Sequence, residues 1–168
     1  LFDAVTDYIS VPTTGMSVSA GSVSLWANPT ANVDNSYFFG HQKLPNDNTH
    51  RIHIKTNASG SPRKLRIGFG ATGVLMDTTY SLTLATWHHI ALTWSGTAGS
   101  GTCTVYVNGS FLQSASYTTF STLNTVAHIG NNGAGTVTVN GAIAYIDDVR
   151  IYQKALNAAE VLAIYNGN

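Results

Sequence analysis

One cysteine, one glutamate and few charges set the first limits on this chain of 168 residues. Cys103 has no second cysteine to pair with, so no internal disulfide exists. In Thr102-Cys103-Thr104-Val105-Tyr106 it reads as a small buried thiol in a strand. Charged residues make up 10% of the chain, against about 25% in an average globular domain. Formal net charge is zero and no basic run occurs, so nucleic acid finds no electrostatic footprint. No apolar run approaches the ~20 residues of a membrane span, so membrane insertion is not expected. The first residue is Leu1 rather than an initiator Met. With no signal peptide in view, we expect a mature or excised piece of a larger secreted protein.

Hydrolytic machinery is also scarce. Glycoside hydrolysis by two carboxylates needs them roughly 5–10 Å apart. The only glutamate, Glu160, is accounted for at a helix start. Asp147 and Asp148 are adjacent, and strict strand alternation sends them to opposite faces. No Gly-x-Ser-x-Gly elbow is present. No enzyme is expected.

What the chain has in abundance is period-two alternation, the mark of half-buried strands. Val23 and Leu25 share one face of their run. Ile52 and Ile54 point inward, while Arg51, His53 and Lys55 point outward. Leu65, Ile67 and Phe69 point in and Arg66 points out. Val105 with Val107, Val137 with Val139, and Val149 with Ile151 repeat the pattern. Gly, Asn, Ser and Pro clusters separate the runs, and Asn108-Gly109 and Asn140-Gly141 suit primed hairpin turns. One helix is expected near the C-terminus. Asn157 caps it, Ala158 starts it, and Glu160 completes a capping box. No linker or repeat divides residues 1–168, which read as a single domain. The fold class expected is all-β: a two-sheet antiparallel β-sandwich, or jelly roll, with one short C-terminal helix.

An ordered set of segments carries a resemblance. They are Phe2-Asp3-Ala4 with Asp7-Tyr8-Ile9, Ser24-Leu25-Trp26, Trp87-His88-His89-Ile90-Ala91 and Tyr106-Val107-Asn108-Gly109. Ile146-Asp147-Asp148-Val149-Arg150-Ile151-Tyr152 and Ala155-Leu156 with Glu160-Val161 complete it. The chain resembles the laminin-G-like, concanavalin A-like lectin/glucanase superfamily, nearest to the bacterial laminin-G type 3 accessory module. Ala4 departs from the glycine usual there, which weakens carry-over of the opening loop. The resemblance implies a jelly roll of 12 to 14 strands and often one structural calcium. It also implies neighbouring first and last strands. The Glu-x-Asp-x-Glu strand of the superfamily's glucanases is missing.

Two sites follow as expectations. Alternation places Asp147 on the core-facing side with Val149 and Ile151, where a carboxylate needs a partner or a metal. Asp3 and Asp147 are therefore the expected holders of a structural Ca²⁺, aided by backbone carbonyls. The alternative is that Asp147 bonds Arg150 or backbone amides, and that Asp3 or Asp7 caps a turn. The ligand-binding expectation is a polar outward face made by Tyr37, His41, Arg51, His53 and Arg66. These residues supply the ring and the planar hydrogen-bonding groups that sugars use. An ordinary solvated sheet face is the alternative. Tyr80, Tyr117 and Phe120 form a second candidate rim or, equally, core plugs. His89 is expected buried and hydrogen-bonded, and most of Trp26, Trp87 and Trp94 are expected in the core.

The function expected is non-catalytic binding of a polysaccharide or glycan by a monomeric extracellular module tethered to other domains. The alternative is a structural or adhesive protein-binding domain of a cell-surface or phage protein.

Overall fold

The computed structural model describes residues 1–42, 50–57, 60–97, 100–118, 120, 122–133 and 141–167, without the side chains of 72–74. Within these residues the alternating runs become eleven strands. They are β1 (Ile9–Pro12), β2 (Ala20–Pro29), β3 (Tyr37–Gln42), β4 (Arg51–Thr56), β5 (Arg63–Gly70) and β6 (Thr72–Leu82). Then come β7 (His88–Thr97), β8 (Ser100–Val107), β9 (Ser110–Thr118), β10 (Val126–Ile129) and β11 (Ala144–Tyr152). One sheet has the order β1-β10-β3-β4-β5-β6 and the other β11-β2-β7-β8-β9. Neighbours in both sheets run antiparallel. The resemblance implies 12 to 14 strands; eleven are found among the described residues, and Val137, Val139 and Asn140 lie outside them.

The inward faces follow from period two. Val23 and Leu25, Ile52 and Ile54, Leu65, Ile67 and Phe69, and Val105 and Val107 all enter one buried cluster between the sheets. Its bulk is aromatic. Phe69 of one sheet meets Trp94 and Tyr117 of the other, with ring centroids 5.5 and 4.7 Å apart. Phe120 closes the group, 4.7 Å from Phe69. Tyr117 and Phe120 are thus core plugs, at 1% and 0% exposure. The indole of Trp94 also donates to the Ser17 carbonyl at 3.0 Å, so its polar edge is satisfied. Cys103 is fully buried nearby, as its strand position implies.

Asn108 and Gly109 take φ of 49° and 76° between β8 and β9. Both values are positive, as a primed two-residue hairpin requires. The helix α1 (Ala158–Tyr165) begins as its capping residues dictate. The Asn157 side chain accepts the Glu160 N–H at 3.0 Å, and the Glu160 carboxylate accepts the Asn157 N–H at 2.9 Å. Val161 and Ile164 of the helix pack with Leu156 on Ala91 and Tyr106. This second, smaller cluster lies on the outer face of the five-stranded sheet.

The histidine and tryptophan expectations divide here. His89 is fully buried, with Nε2 2.8 Å from the Ser24 hydroxyl, but it lies beside the helix and not between the sheets. Trp94 is core at 1% exposure; Trp26 is only partly buried, and Trp87 is 43% exposed. Trp87 shares the His89 side of its strand, which faces away from the main core.

Gly21 stands opposite Trp94 across β2 and β7. A Cβ there would lie 2.2 Å from the indole Cζ2. The ring is held by Ser17 and by Phe69, so it has little room to retreat. Gly21→Ala is expected to destabilise the fold by about 1–3 kcal/mol, the usual cost of overpacking. Urea denaturation monitored by Trp fluorescence measures this. A midpoint equal to that of the parent would show that the indole moves freely.

Candidate functional site

The expected polar face lies on the outside of the six-stranded sheet. Strand register puts Lys55 opposite Tyr37 and Arg66, His53 opposite Gly40 and Gly68, and Arg51 opposite Gln42 and Gly70. Tyr37, Arg51, His53 and Arg66 therefore share one side. His41 does not. It pairs with Ile52 and turns to the inner side, where it is fully buried. Its Nε2 accepts the Asn124 backbone N–H at 2.9 Å. Flanking the loop between β3 and β4 suggested an outward side chain, but one step of alternation reverses it.

This face is mostly closed. Tyr37, His53 and Lys55 are 8%, 2% and 7% exposed. The backbone of Asn131 and Asn132 lies so close over Gly40 that an added Cβ would sit 2.3 Å from it. The Tyr37 and His53 rings meet edge to face at 4.9 Å. Lys55 Nζ donates to the Tyr37 hydroxyl at 3.0 Å and to Asn35 Oδ1 at 3.3 Å. Arg66 makes a two-pronged contact with Asp77, at 3.2 and 2.7 Å. Burial, then the nearby Arg66 and Arg51 guanidinium groups, lower the Lys55 pKa to about 8. Burial pushes His53 well below the ordinary imidazole range, and Lys55 and Arg51 add to the effect. The face thus holds packed cations with little open ring surface.

The expected calcium pair fares differently. Phe2 bridges Ala144 in antiparallel sense. Along that register Asp3 moves toward Ile143 while Asp147 moves the other way. About four residue steps separate them, roughly 13 Å, whereas two ligands of one Ca²⁺ lie within roughly 5 Å of each other. Asp147 also does not face the core. Between Asp147, opposite Trp26, and Arg150, opposite Ser24, the register slips at a bulge. Asp148 in that bulge has φ of 46°. The extra residue moves Asp147 to the outer side with Trp26, where it is exposed. Asp3 and Asp147 do not fit a shared calcium site. Among the described residues no three His, Cys, Asp or Glu side chains gather to hold a metal. Asp7 caps a turn instead, its Oδ2 accepting the Asp3 and Ala4 N–H groups at 3.0 Å each.

The same bulge creates an open cleft of about 400 Å³ lined by Trp26, Trp87, Asp147 and Asp148. Strict alternation would part the two carboxylates; the bulge lets both line one cleft. The cleft is built in rows across β11, β2 and β7. Tyr145 stands opposite Asn28, and one step beyond the pair Ala27–His88 the register brings Trp87 beside Asn28. Asp147, Trp26 and His89 form the next row. Tyr145 is 44% exposed, and its ring lies 6.4 Å from that of Trp87 at a tilt of 48°. The floor is stiff, because Tyr165 of α1 stacks on Trp26 at 5.6 Å. Asn28 Oδ1 is buried with no hydrogen-bond partner. Asp147 Oδ1 accepts the Asp148 N–H at 2.7 Å, and Asp148 Oδ1 accepts from Arg150 Nε at 2.7 Å. Two ring surfaces thus flank carboxylate acceptors in a cleft open to water.

Sequence reading did not reach this cleft, although part of its signal was present. Trp26, Trp87, Tyr145 and Asp147 all occupy outward positions, but Asp147 does so only through the bulge. Nothing in Ile146-Asp147-Asp148-Val149 announces that slip.

A two-sheet lectin-like sandwich is therefore the class that the topology defines. The family model described as the Concanavalin A-like lectin/glucanases superfamily, laminin-G type 3, matches residues 3–162, and the chain belongs to that family. Among solved structures it is similar to domain 4 of AbnA, a GH43 extracellular arabinanase from Geobacillus stearothermophilus, in complex with arabinotriose. Identity there is 25% and the TM-score 0.63, over 90% of this chain and 69% of that one. A native heptameric SAP-like pentraxin from Limulus polyphemus is 18% identical, with a TM-score of 0.68 over 93% and 72% of the two chains. Trypanosoma rangeli sialidase is 18% identical, with a TM-score of 0.71 over 98% of this chain but only 26% of that one. The last two show the fold alone. No curated protein matches. Among the described residues no helix is long and apolar enough to cross a membrane.

The buried histidines generate a pH prediction. Burial lowers both His41 and His89 from 6.5 to about 4. Below pH 6.5 the unfolded chain takes up protons at these imidazoles, while the folded chain does not until about pH 4. Stability is therefore complete above about pH 7 and lost as pH falls through this window. His41 alone accounts for on the order of 3 kcal/mol. Thermal melting across the window measures it. A melting temperature that stays level down to about pH 4 would mean that these rings are not buried neutral.

Proposed function

We propose that the chain is a non-catalytic glycan-binding module of a secreted multidomain protein, and that the sugar lies in the cleft between Trp87, Tyr145 and the Asp147-Asp148 bulge. The carrying observation is the half-exposed Trp87 ring, with the Tyr145 ring beside it, next to two carboxylate acceptors in the cleft. A pyranose or furanose presents apolar C–H groups on its face and hydroxyls on its edge. Ring stacking takes the first and carboxylates accept from the second. Family membership and the similarity to an arabinanase domain solved with arabinotriose support a carbohydrate as the ligand. Tethering such a module to a catalytic domain would raise the effective concentration of enzyme at its polymer.

The cleft has two carboxylates, but they are poorly disposed for hydrolysis. Both are exposed, and Asp148 is ion-paired to Arg150. A general acid acting on a glycosidic oxygen needs a desolvated carboxyl group. Binding without turnover is the reading these settings favour. The polar face of Tyr37, Arg51, His53 and Arg66 then serves the fold more than the ligand, since its central rings are closed off.

Affinity electrophoresis on gels containing neutral, acidic and amine-bearing polysaccharides tests this. Retardation by at least one polymer is expected. Trp87→Ala should weaken it by about tenfold or more, which is about 1.4 kcal/mol, and change stability by less than about 0.5 kcal/mol. Retardation that survives Trp87→Ala unchanged would remove the cleft from the account. Release of reducing sugar by the chain would contradict the non-catalytic reading.

A further inference from the structure

We infer that the cleft prefers a glycan bearing a protonated amine, such as a polymer of free 2-amino sugars, over neutral or acidic glycans. This rests on the glycan reading of the same cleft and adds the charge of its ligand.

Charge placement carries this preference. The chain is neutral overall, yet its two outer sheet faces differ in sign. The six-stranded face holds Arg51, Lys55 and Arg66, with Asp77 as the carboxylate opposite Arg66. The cleft on the other sheet holds Asp147 and Asp148, with Arg150 as the neighbouring cation. Arg150 is committed to Asp148 at 2.7 Å. Asp147 accepts one backbone N–H, and no cation among the described residues pairs with it. One negative charge is left over, in a cleft walled by aromatic rings. The faces of Trp87 and Trp26 carry the negative side of their quadrupoles, and a cation near a ring face is attracted to it. An ammonium group beside Asp147 gains from both terms. A uronate or sulfate loses from both, and a neutral sugar gains the stacking and hydroxyl hydrogen bonds but no ion pair.

The bulge gives this arrangement its rigidity. Asp147 is fixed by the Asp148 N–H, so its carboxylate is aimed before any ligand arrives. Trp26 is braced from behind by Tyr165.

Calorimetric titration of the chain at low salt with a glucosamine hexamer, its N-acetylated counterpart and tetramethylammonium tests the inference. The glucosamine hexamer is expected to bind about tenfold or more tighter than the acetylated one. That ratio should collapse in Asp147→Asn, and also in roughly 1 M salt, where charges are screened within about 3 Å. Asparagine keeps the acceptor for the Asp148 N–H, so a thermal melt equal to the parent checks that the variant folds. Equal affinity for the two hexamers, unchanged in Asp147→Asn, would overturn the charge preference and leave glycan binding standing. Tetramethylammonium binding as tightly as the glucosamine hexamer, with no binding of the acetylated hexamer, would keep the cation preference and overturn the glycan reading. No binding by any of the three would overturn the amine preference, while the gel retardation by other polymers decides the glycan reading separately.

Discussion

Phe69, Trp94, Tyr117 and Phe120 meet between the two sheets, and this aromatic contact is the constraint on which the other features depend. Four large rings from both layers can be buried only if the sheets face each other there. That facing commits Val23, Leu25, Ile54, Ile67 and Val105 to the interior. It also requires Gly21, because the Trp94 ring occupies the space a side chain would need. Once the inner sides are spent, function has the two outer faces to use.

Those faces are treated in different ways. On the six-stranded sheet, Tyr37, His53 and Lys55 pack under neighbouring backbone and are nearly closed. On the five-stranded sheet, α1 seals Ala91, Tyr106 and His89 but stops short of Trp87 and Tyr145. The bulge at Asp147 and Asp148 lies at that margin. Helix packing braces the floor, the bulge supplies the carboxylates, and the uncovered rings supply the platform. A dry core, a sealing helix and the irregular β11 together leave a rimmed surface of mixed ring and acid character. Recognition sites commonly place a few aimed polar groups on a rigid apolar base of this kind.

Much of this architecture was legible in the amino-acid order. Alternation located the strands, and Asn108-Gly109 and Asn157 with Glu160 marked a hairpin and a helix start through local backbone chemistry. The outward side of Arg51, His53, Lys55 and Arg66 could also be read, because β4 and β5 keep an unbroken register at those positions. What that reading could not supply was cover. Outward and exposed are different properties, and His53 is outward at 2% exposure. His41 sits beside a loop, which suggests an outward side chain, but its pairing with Ile52 turns it inward. Asp147 escaped for a deeper reason. A bulge changes parity by one residue, and an aspartate in the left-handed region at Asp148 leaves no glycine to signal it. Trp87, one residue before β7, departs from the core position expected for most of the tryptophans because it shares the outward side of His89.

The most direct test of the central claim uses the indole N–H resonances of Trp26, Trp87 and Trp94 in a ¹⁵N-labelled sample titrated with the oligosaccharide that binds best. Trp94 donates to Ser17 inside the core and serves as the internal reference. The Trp87 signal is expected to move with ligand, Trp26 to follow, and Trp94 to stay in place. Movement confined to backbone signals of β3, β4 and β5, with Trp87 unmoved, would put the ligand on the opposite sheet and contradict it.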